Sequence, residues 1–546
     1  LGANYVDFKT REEYTVYSNV ATITALGFNA APNCWPTAPE GPDKGKGCVY
    51  IDPNPIGVGP KEGHNYLRNI SDAKIRSMAA FGELYWKVTD TLKVTAGLRY
   101  TDDKKTQAII PSQFLTSTSG IGGGNVDRGY PQDGERVQKW GRFTGRFAVD
   151  WKPDLSFTDN TLVYASYARG YKAGGSNPRG NDFNSETTSY TRLPDDFAPE
   201  DVNAFEIGTK NSFAGGKFML SIAAFLNDYK NYQIAQFINR GFYTENVDAV
   251  TKGLEFEAAW IPSKHFRIGG TLGLHDPKIG KEQYSIDIMD RLQGRDDWVV
   301  LNPWAQSPNT CIAPREVVAT ILNDQNLIQL PPNPPAGWKP GDNPVFNANN
   351  GNGLLLKFLC EGPDYFGSGN ATVFGLTKDG GFSTRSQDVG IVYDPTAPYD
   401  PSKPANYSLG GYSNYGAPNQ GRGFFAPLAG NKLPNAPSWT FNIGAQYTFF
   451  FEDWQLAVRG DYYRQGSSYA RIYNTEYDKL KGWGNGNVAV TLSRPESDLA
   501  FQFYIKNILN DTPITDAYTG PDELGKFTNV FTLDPRIYGF SVKFGF

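Results

Sequence analysis

Covalent catalysis needs a nucleophile, a base and a scaffold that brings them together, and this chain offers little of that kind. Ser71-Asp72-Ala73-Lys74 has the Ser-x-x-Lys spacing of serine acyl-enzymes, in which a lysine near the hydroxyl helps to activate it. A match this short arises readily by chance. Gly120-Ile121-Gly122-Gly123-Gly124-Asn125 resembles a phosphate loop only in its glycines, without the strand before and helix after that would aim backbone amides at a phosphate. HExxH, GxSxG and a P-loop are missing, so no catalytic residue is assigned and the chain is read as a non-enzyme. The three histidines, His64, His265 and His275, are too few and too scattered to suggest a metal site, and no cofactor is expected. Cys34, Cys48, Cys311 and Cys360 form no CxxC pair, which argues against zinc. They flank two Pro/Gly-rich segments instead. The expectation is local disulfides, Cys34–Cys48 and Cys311–Cys360, with four free thiols as the alternative. Disulfides fit an extracytoplasmic compartment.

Binding chemistry has better candidates. Arg99, Arg142, Arg146, Glu206, Lys210, Glu255, Glu257, Arg459 and Lys506 fall on the polar side of alternating segments. They either line a solute path or form a solvated wall and pair across strands. Trp35, Trp298, Trp304, Trp338, Tyr365, Tyr412 and Tyr415 lie in long connections. There they either form an external pocket for a sugar face or an aryl ligand, or pack the loops.

The elements that must position these residues are strands. Aromatics make up 14% of the 546 residues while the hydrophobic fraction is only 39%, and the mean hydropathy is -0.46. A transmembrane barrel combines those values, because only every second strand residue meets lipid. No apolar run is long enough for a membrane helix, so a membrane position requires a closed barrel. The net charge of -5 argues against a nucleic-acid partner.

Period-two alternation is strong. Tyr538, Phe540, Val542, Phe544 and Phe546 share one face of the last segment. Trp439, Phe441, Ile443, Ala445, Tyr447 and Phe449 do the same upstream, as do Leu254, Phe256, Ala258 and Trp260, and Phe143, Phe147, Val149 and Trp151. The opposite faces are too polar for a dry sandwich core. The fold class is therefore all-β, a transmembrane antiparallel β-barrel. Fourteen strands are expected, at about 1–18, 73–89, 92–106, 138–152, 161–173, 200–213, 217–236, 249–261, 265–280, 434–450, 454–470, 483–493, 498–508 and 535–546. Short turns alternate with long connections at about 19–72, 106–137, 174–198, 283–432 and 509–534, the last-but-one carrying a short helix near 314–330. Short turns on one side and long loops on the other are the outer-membrane pattern.

At this level the chain resembles the barrel of TonB-dependent outer-membrane receptors. The resemblance is carried by Leu92-Lys93-Val94-Thr95-Ala96-Gly97-Leu98-Arg99-Tyr100-Thr101, by Val163 to Gly175, by Pro199 to Lys210, by Gly253 to Ala258, by Leu433 to Pro437 and by Asp534 to Phe540, with Phe546 last. It implies a barrel of about 22 strands with a plugged lumen, of which this chain supplies strands nine to 22. It also implies a plug and first eight strands that are not in this chain, and coupling to the TonB energy-transducing complex through that plug. The implied partners are outer-membrane lipid and a scarce small-molecule solute, a ferric siderophore or a similar nutrient. The polar wall residues would then hold the plug or line the solute path. Three rivals stay open: a passive fourteen-stranded channel, a surface-binding barrel, and a soluble β-sandwich enzyme.

Overall fold

A computed structural model describes residues 1–17, 65–108, 134–177, 194–238, 241–301, 310–315, 417–520 and 526–545, with short pieces at 113–114, 318–319, 375–377, 382–383, 389–393, 399–400 and 414–415. Fourteen strands form its wall: β1 Gly2–Tyr17, β2 Asn65–Lys87, β3 Leu92–Ala108, β4 Glu135–Trp151, β5 Asn160–Lys172, β6 Glu200–Phe213, β7 Phe218–Ile238, β8 Gly241–Trp260, β9 Phe266–Ile279, β10 Trp439–Phe451, β11 Trp454–Gln465, β12 Gly484–Arg494, β13 Leu499–Lys506 and β14 Ile537–Lys543. They pair antiparallel in chain order, each with the next, and Gln113–Phe114 adds a short piece beside β2.

Register decides whether the alternating apolar positions form one surface, because a one-residue slip would turn a strand's whole apolar set to the other face. The observed registers keep the set together. Tyr100 lies opposite Phe143, and Phe147 opposite Tyr167. Tyr167 faces Phe205, and Ile207 faces Ala224. Leu254 meets Ala224 on one side and Leu274 on the other, and Leu274 meets Trp439. Val458 joins Tyr447 to Val490, and Phe503 joins Val490 to Phe540. This surface is exposed: Leu98 is 61% accessible, Phe143 60% and Phe540 66%. An apolar face of this extent needs an apolar partner, and lipid supplies one. On β14, Tyr538, Phe540 and Val542 sit on it as expected, opposite Ile505, Phe503 and Phe501. Phe544 follows the strand and is also exposed, while Phe546 lies outside the described residues.

The dry core lies at the long-loop end. Ile234, Val247, Ala249 and Ile279, on the loop-end halves of β7, β8 and β9, bury against Ala426, Leu428, Leu433, Ile472 and Tyr473 from two later loops. This contact explains the main departure from the expected boundaries. Where strands were expected at 217–236 and 249–261, β7 and β8 run on to Ile238 and from Gly241 as one long hairpin. Val247 is held in strand pairing by the loop core above it, a tertiary effect that local sequence does not carry. β2 likewise begins at Asn65 rather than near 73. The connection expected over 509–534 contains its own hairpin, Ile514–Thr519 with Thr528–Thr532. The helix expected near 314–330 falls almost wholly outside the described residues.

Candidate functional site

The polar face of the wall holds the candidate site, and its charges are matched. In β11, Arg459 and Asp461 are two apart and so share a face; Arg459 Nη2 donates to Asp461 Oδ1 at 2.7 Å and Nε donates to Oδ2 at 3.0 Å. Beside them Arg267 of β9 donates to Gln446 of β10, and Gln446 Nε2 donates to Thr448 Oγ1 at 3.0 Å. Glu257 of β8, Arg267, Gln446, Arg459 and Asp461 line a hollow of about 330 Å³. Glycines make its floor. A Cβ at Gly444 would lie 2.6 Å from Asp461 Oδ1, so only glycine leaves room for that carboxylate. The result is two guanidinium groups, two carboxylates and an amide on four adjacent strands, a surface suited to hydrogen bonding a polar partner inside the barrel.

The other expected wall residues are spread around the same face. Arg146 is ion-paired with Glu83 of β2. Arg99 Nη2 donates to Asn4 Oδ1 at 3.2 Å, and its guanidinium lies 5.5 Å from the Phe81 ring. Arg142 approaches Asp201 to 3.5 Å and the Tyr171 ring to 5.7 Å. Glu206 accepts from the Tyr164 hydroxyl at 2.6 Å. Lys506 lies 5.6 Å from the Tyr504 ring. Lys210 sits in register between Leu162 and Ser221, and Glu255 between Ala223 and Gly273. Of the nine, only Glu257 and Arg459 come together in one hollow. Asp461 and Glu83 pair with Arg459 and Arg146, and Arg267 lines the same hollow; none of the three was singled out from sequence. Asp461 was legible, since it has the same parity as Arg459; Glu83 was not, because its partner is 63 residues away.

Loops close over the long-loop end of this polar face. Lys105 Nζ donates to Gly174 O at 2.8 Å, and Gln138 Nε2 to Gly175 O at 3.1 Å. Arg136 holds Asp195 at 2.9 Å and Asp196 at 3.0 Å. Further round, Arg471 is gripped by Asp287 at 2.6 Å and Asp478 at 2.5 Å, with both carboxylates almost fully buried. Burial works against the charged form of Arg471, but the two carboxylates outweigh it and hold the guanidinium above its ordinary value. The Tyr473 hydroxyl lies 2.7 Å from Ile286 O and 2.9 Å from Gln236 Oε1; burial, and then the nearby Glu245 carboxylate, push it far above the ordinary phenol range.

The loop aromatics divide. Trp298 is buried at 3% accessibility, its ring edge-on to Tyr399 and Phe424 at 6.0 and 5.7 Å. It packs a loop hairpin rather than opening onto a ligand pocket. Tyr415 lies in a short strand with Asn414. Trp35, Trp304, Trp338, Tyr365 and Tyr412 fall outside the described residues. Cys311 is buried and disulfide-bonded, while Cys34, Cys48 and Cys360 lie outside the described residues. Ser71 and Lys74 are three apart on β2 and so point to opposite faces of the sheet, which removes the acyl-enzyme reading. The glycine run 120–125 and His64 are outside the described residues. His265 Nδ1 is 2.9 Å from Thr448 O, and the His275 ring is tilted against Phe225 with centroids 5.9 Å apart. Among the described residues no His, Cys, Asp and Glu cluster could hold a metal.

The family described as TonB dependent receptor-like, beta-barrel matches residues 11–306. Among solved structures, the ferric yersiniabactin uptake receptor FyuA of Yersinia pestis is 13% identical with a TM-score of 0.49, covering 88% of this chain and 47% of its own. The siderophore receptor PiuA of Acinetobacter baumannii is 14% identical with a TM-score of 0.45, covering 87% and 45%. The ferric-catecholate import receptor Fiu of E. coli K12 is 13% identical with a TM-score of 0.45, covering 87% and 45%. The chain thus spans about half the length of each of these. With the family match running over more than half of its length, and a wall apolar outside and charged inside, this chain belongs to the TonB-dependent receptor-like β-barrels of the bacterial outer membrane.

Proposed function

We propose that this chain forms part of the wall of an energy-coupled receptor that takes up a scarce small-molecule solute across the outer membrane, with a ferric siderophore as the first solute class to test. It does no covalent chemistry. Its work is to hold a path through lipid and to seat the parts that open it. The reading is carried by one observation: the inward face is charged yet internally paired, and loops fold over its outer end. Here the described loops are tied to inward side chains at the outer end of the wall, which supports a receptor that binds before it opens. The hollow bounded by Glu257, Arg267, Arg459 and Asp461 is the surface we assign to a plug domain, because it offers both donors and acceptors to a polar partner.

The test uses the full-length receptor in the outer membrane. Arg267→Glu with Arg459→Glu replaces two donors by two acceptors in that hollow. Loosened plug seating would show as greater entry of a large hydrophilic antibiotic together with reduced siderophore uptake. Unchanged permeability and unchanged uptake in a normally inserted variant would remove the hollow from the mechanism.

A further inference from the structure

The outward face of β1–β4 carries a feature that neither the lumen nor the loops use. On four neighbouring strands, a cation stands four residues loop-ward of a lipid-facing apolar residue, on the same face: Lys9 beyond Tyr5, Lys74 beyond Met78, Lys104 beyond Tyr100 and Lys139 beyond Phe143. The registers stack these cations directly against one another. Lys9 lies opposite Lys74, and Lys104 lies between Arg76 and Lys139. Like charges directly opposite are destabilising in a sheet, so folding alone does not account for the arrangement. Asp7 partly offsets it, 3.3 Å from Lys74 and 3.4 Å from Arg76. No carboxylate among the described residues lies within ion-pair distance of Lys9, Lys104 or Lys139.

The height of the cluster is informative. On β4 the apolar belt runs from Trp151 to Phe143, roughly 26 Å of strand at about 3.3 Å per residue and roughly 20 Å along the membrane normal once the strand is tilted. Lys139 stands just past that belt, at headgroup level. Two hollows lie on the neighbouring strands of this face. One, of about 550 Å³, is lined by Lys9, Lys74, Arg76 and Lys104 with Asp72 and Glu135. The other, of about 480 Å³, is lined by Ala3, Asn4, Tyr5, Met78, Ala80 and Tyr100, with Asp102 two residues loop-ward of Tyr100, and lies membrane-ward on the same strands. A hollow in which cations outnumber carboxylates, above one that is mostly apolar, matches a molecule with phosphate at one end and acyl chains at the other.

We infer that this face binds the phosphate-bearing headgroup of an outer-leaflet lipid, with its acyl chains on the apolar hollow below. The inference rests on the outer-membrane placement and not on any transported solute, so it stands or falls apart from the uptake reading.

The test takes the full-length receptor in neutral detergent and counts bound lipid by native mass spectrometry. The probes are bisphosphorylated lipid A, its dephosphorylated form and phosphatidylcholine. Lipid A is expected to bind at least tenfold more tightly than either of the others. Replacing Lys9, Lys74, Lys104 and Lys139 together by Gln is expected to remove that preference, while Lys252→Gln with Lys278→Gln, on the same face but paired with Asp276, leaves it intact. Equal binding of the phosphorylated and dephosphorylated lipids by the wild-type receptor would overturn the inference without recourse to any variant. So would displacement of lipid A by millimolar inorganic phosphate, which would mark a free-anion site, and so would a folded fourfold variant that keeps the preference.

Discussion

The two sides of β2, β3 and β4 at their loop ends carry similar residues and use them differently. Inward, Lys105, Arg136 and Gln138 each hold a loop, through Gly174, Gly175, Asp195 and Asp196. Outward, one residue away along the same strands, Lys104 and Lys139 stack on each other and on Arg76 with no described loop above them. Inside, charge is a fastener whose counter-charge is encoded in the same chain. Outside, it is presented at a membrane boundary where the counter-charge comes from elsewhere. Residue type does not separate the two uses; parity and register do.

The largest test of this contrast lies inside. Arg471→Met would strand Asp287 and Asp478, both buried, and removal of one partner from a buried ion pair costs about 3–5 kcal/mol. The expected result is faster hydrogen exchange across 466–482 with the wall strands still protected. Uniform protection would show that the loop cap does not depend on matched charge. Next is the outward belt. Phe147→Arg places a charge near its middle, where the cost is about 2–4 kcal/mol, and the expected reading is a lower midpoint in urea unfolding from lipid vesicles. The same arginine at position 139, in place of Lys139, is expected to leave the midpoint unchanged, because that position is already at headgroup level.

Arg136→Gln should cost roughly 1 kcal/mol through the loss of charge-assisted hydrogen bonds, and should increase proteolysis of the connection between β5 and β6 without moving the global midpoint. The smallest effect has the opposite sign. Lys104→Gln relieves cross-strand repulsion and is expected to stabilise the receptor in neutral detergent by roughly 0.2–1 kcal/mol. Destabilisation there would mean that Lys104 is an internal fastener after all, and the contrast between the two faces would fail.

Much of the wall was legible because alternation is a local property. The run from Trp439 to Phe449 shows its face without reference to any other strand, and the pairing with Leu274 and Val458 then follows. What local sequence could not supply was adjacency. Lys9 and Lys139 are far apart in the chain and meet only through two intervening strands. The loop core joins Ile234 to Leu428 and Ile472, residues whose own segments show no period. The polar wall was identified as a face, but its pairs were not. Arg146 needed Glu83 from another hairpin, and the hollow at Glu257 and Arg459 needed Gly444 to make room for Asp461.

We propose that the wall belongs to an energised receptor rather than a passive pore. The most direct measurement is uptake of a radiolabelled ferric siderophore by cells carrying the full-length receptor, with and without a functional TonB complex, alongside surface binding of the same compound. On this proposal, saturable binding in both strains and accumulation only where TonB works are expected. Accumulation that is independent of TonB and linear in concentration would contradict it and return the chain to the class of passive channels.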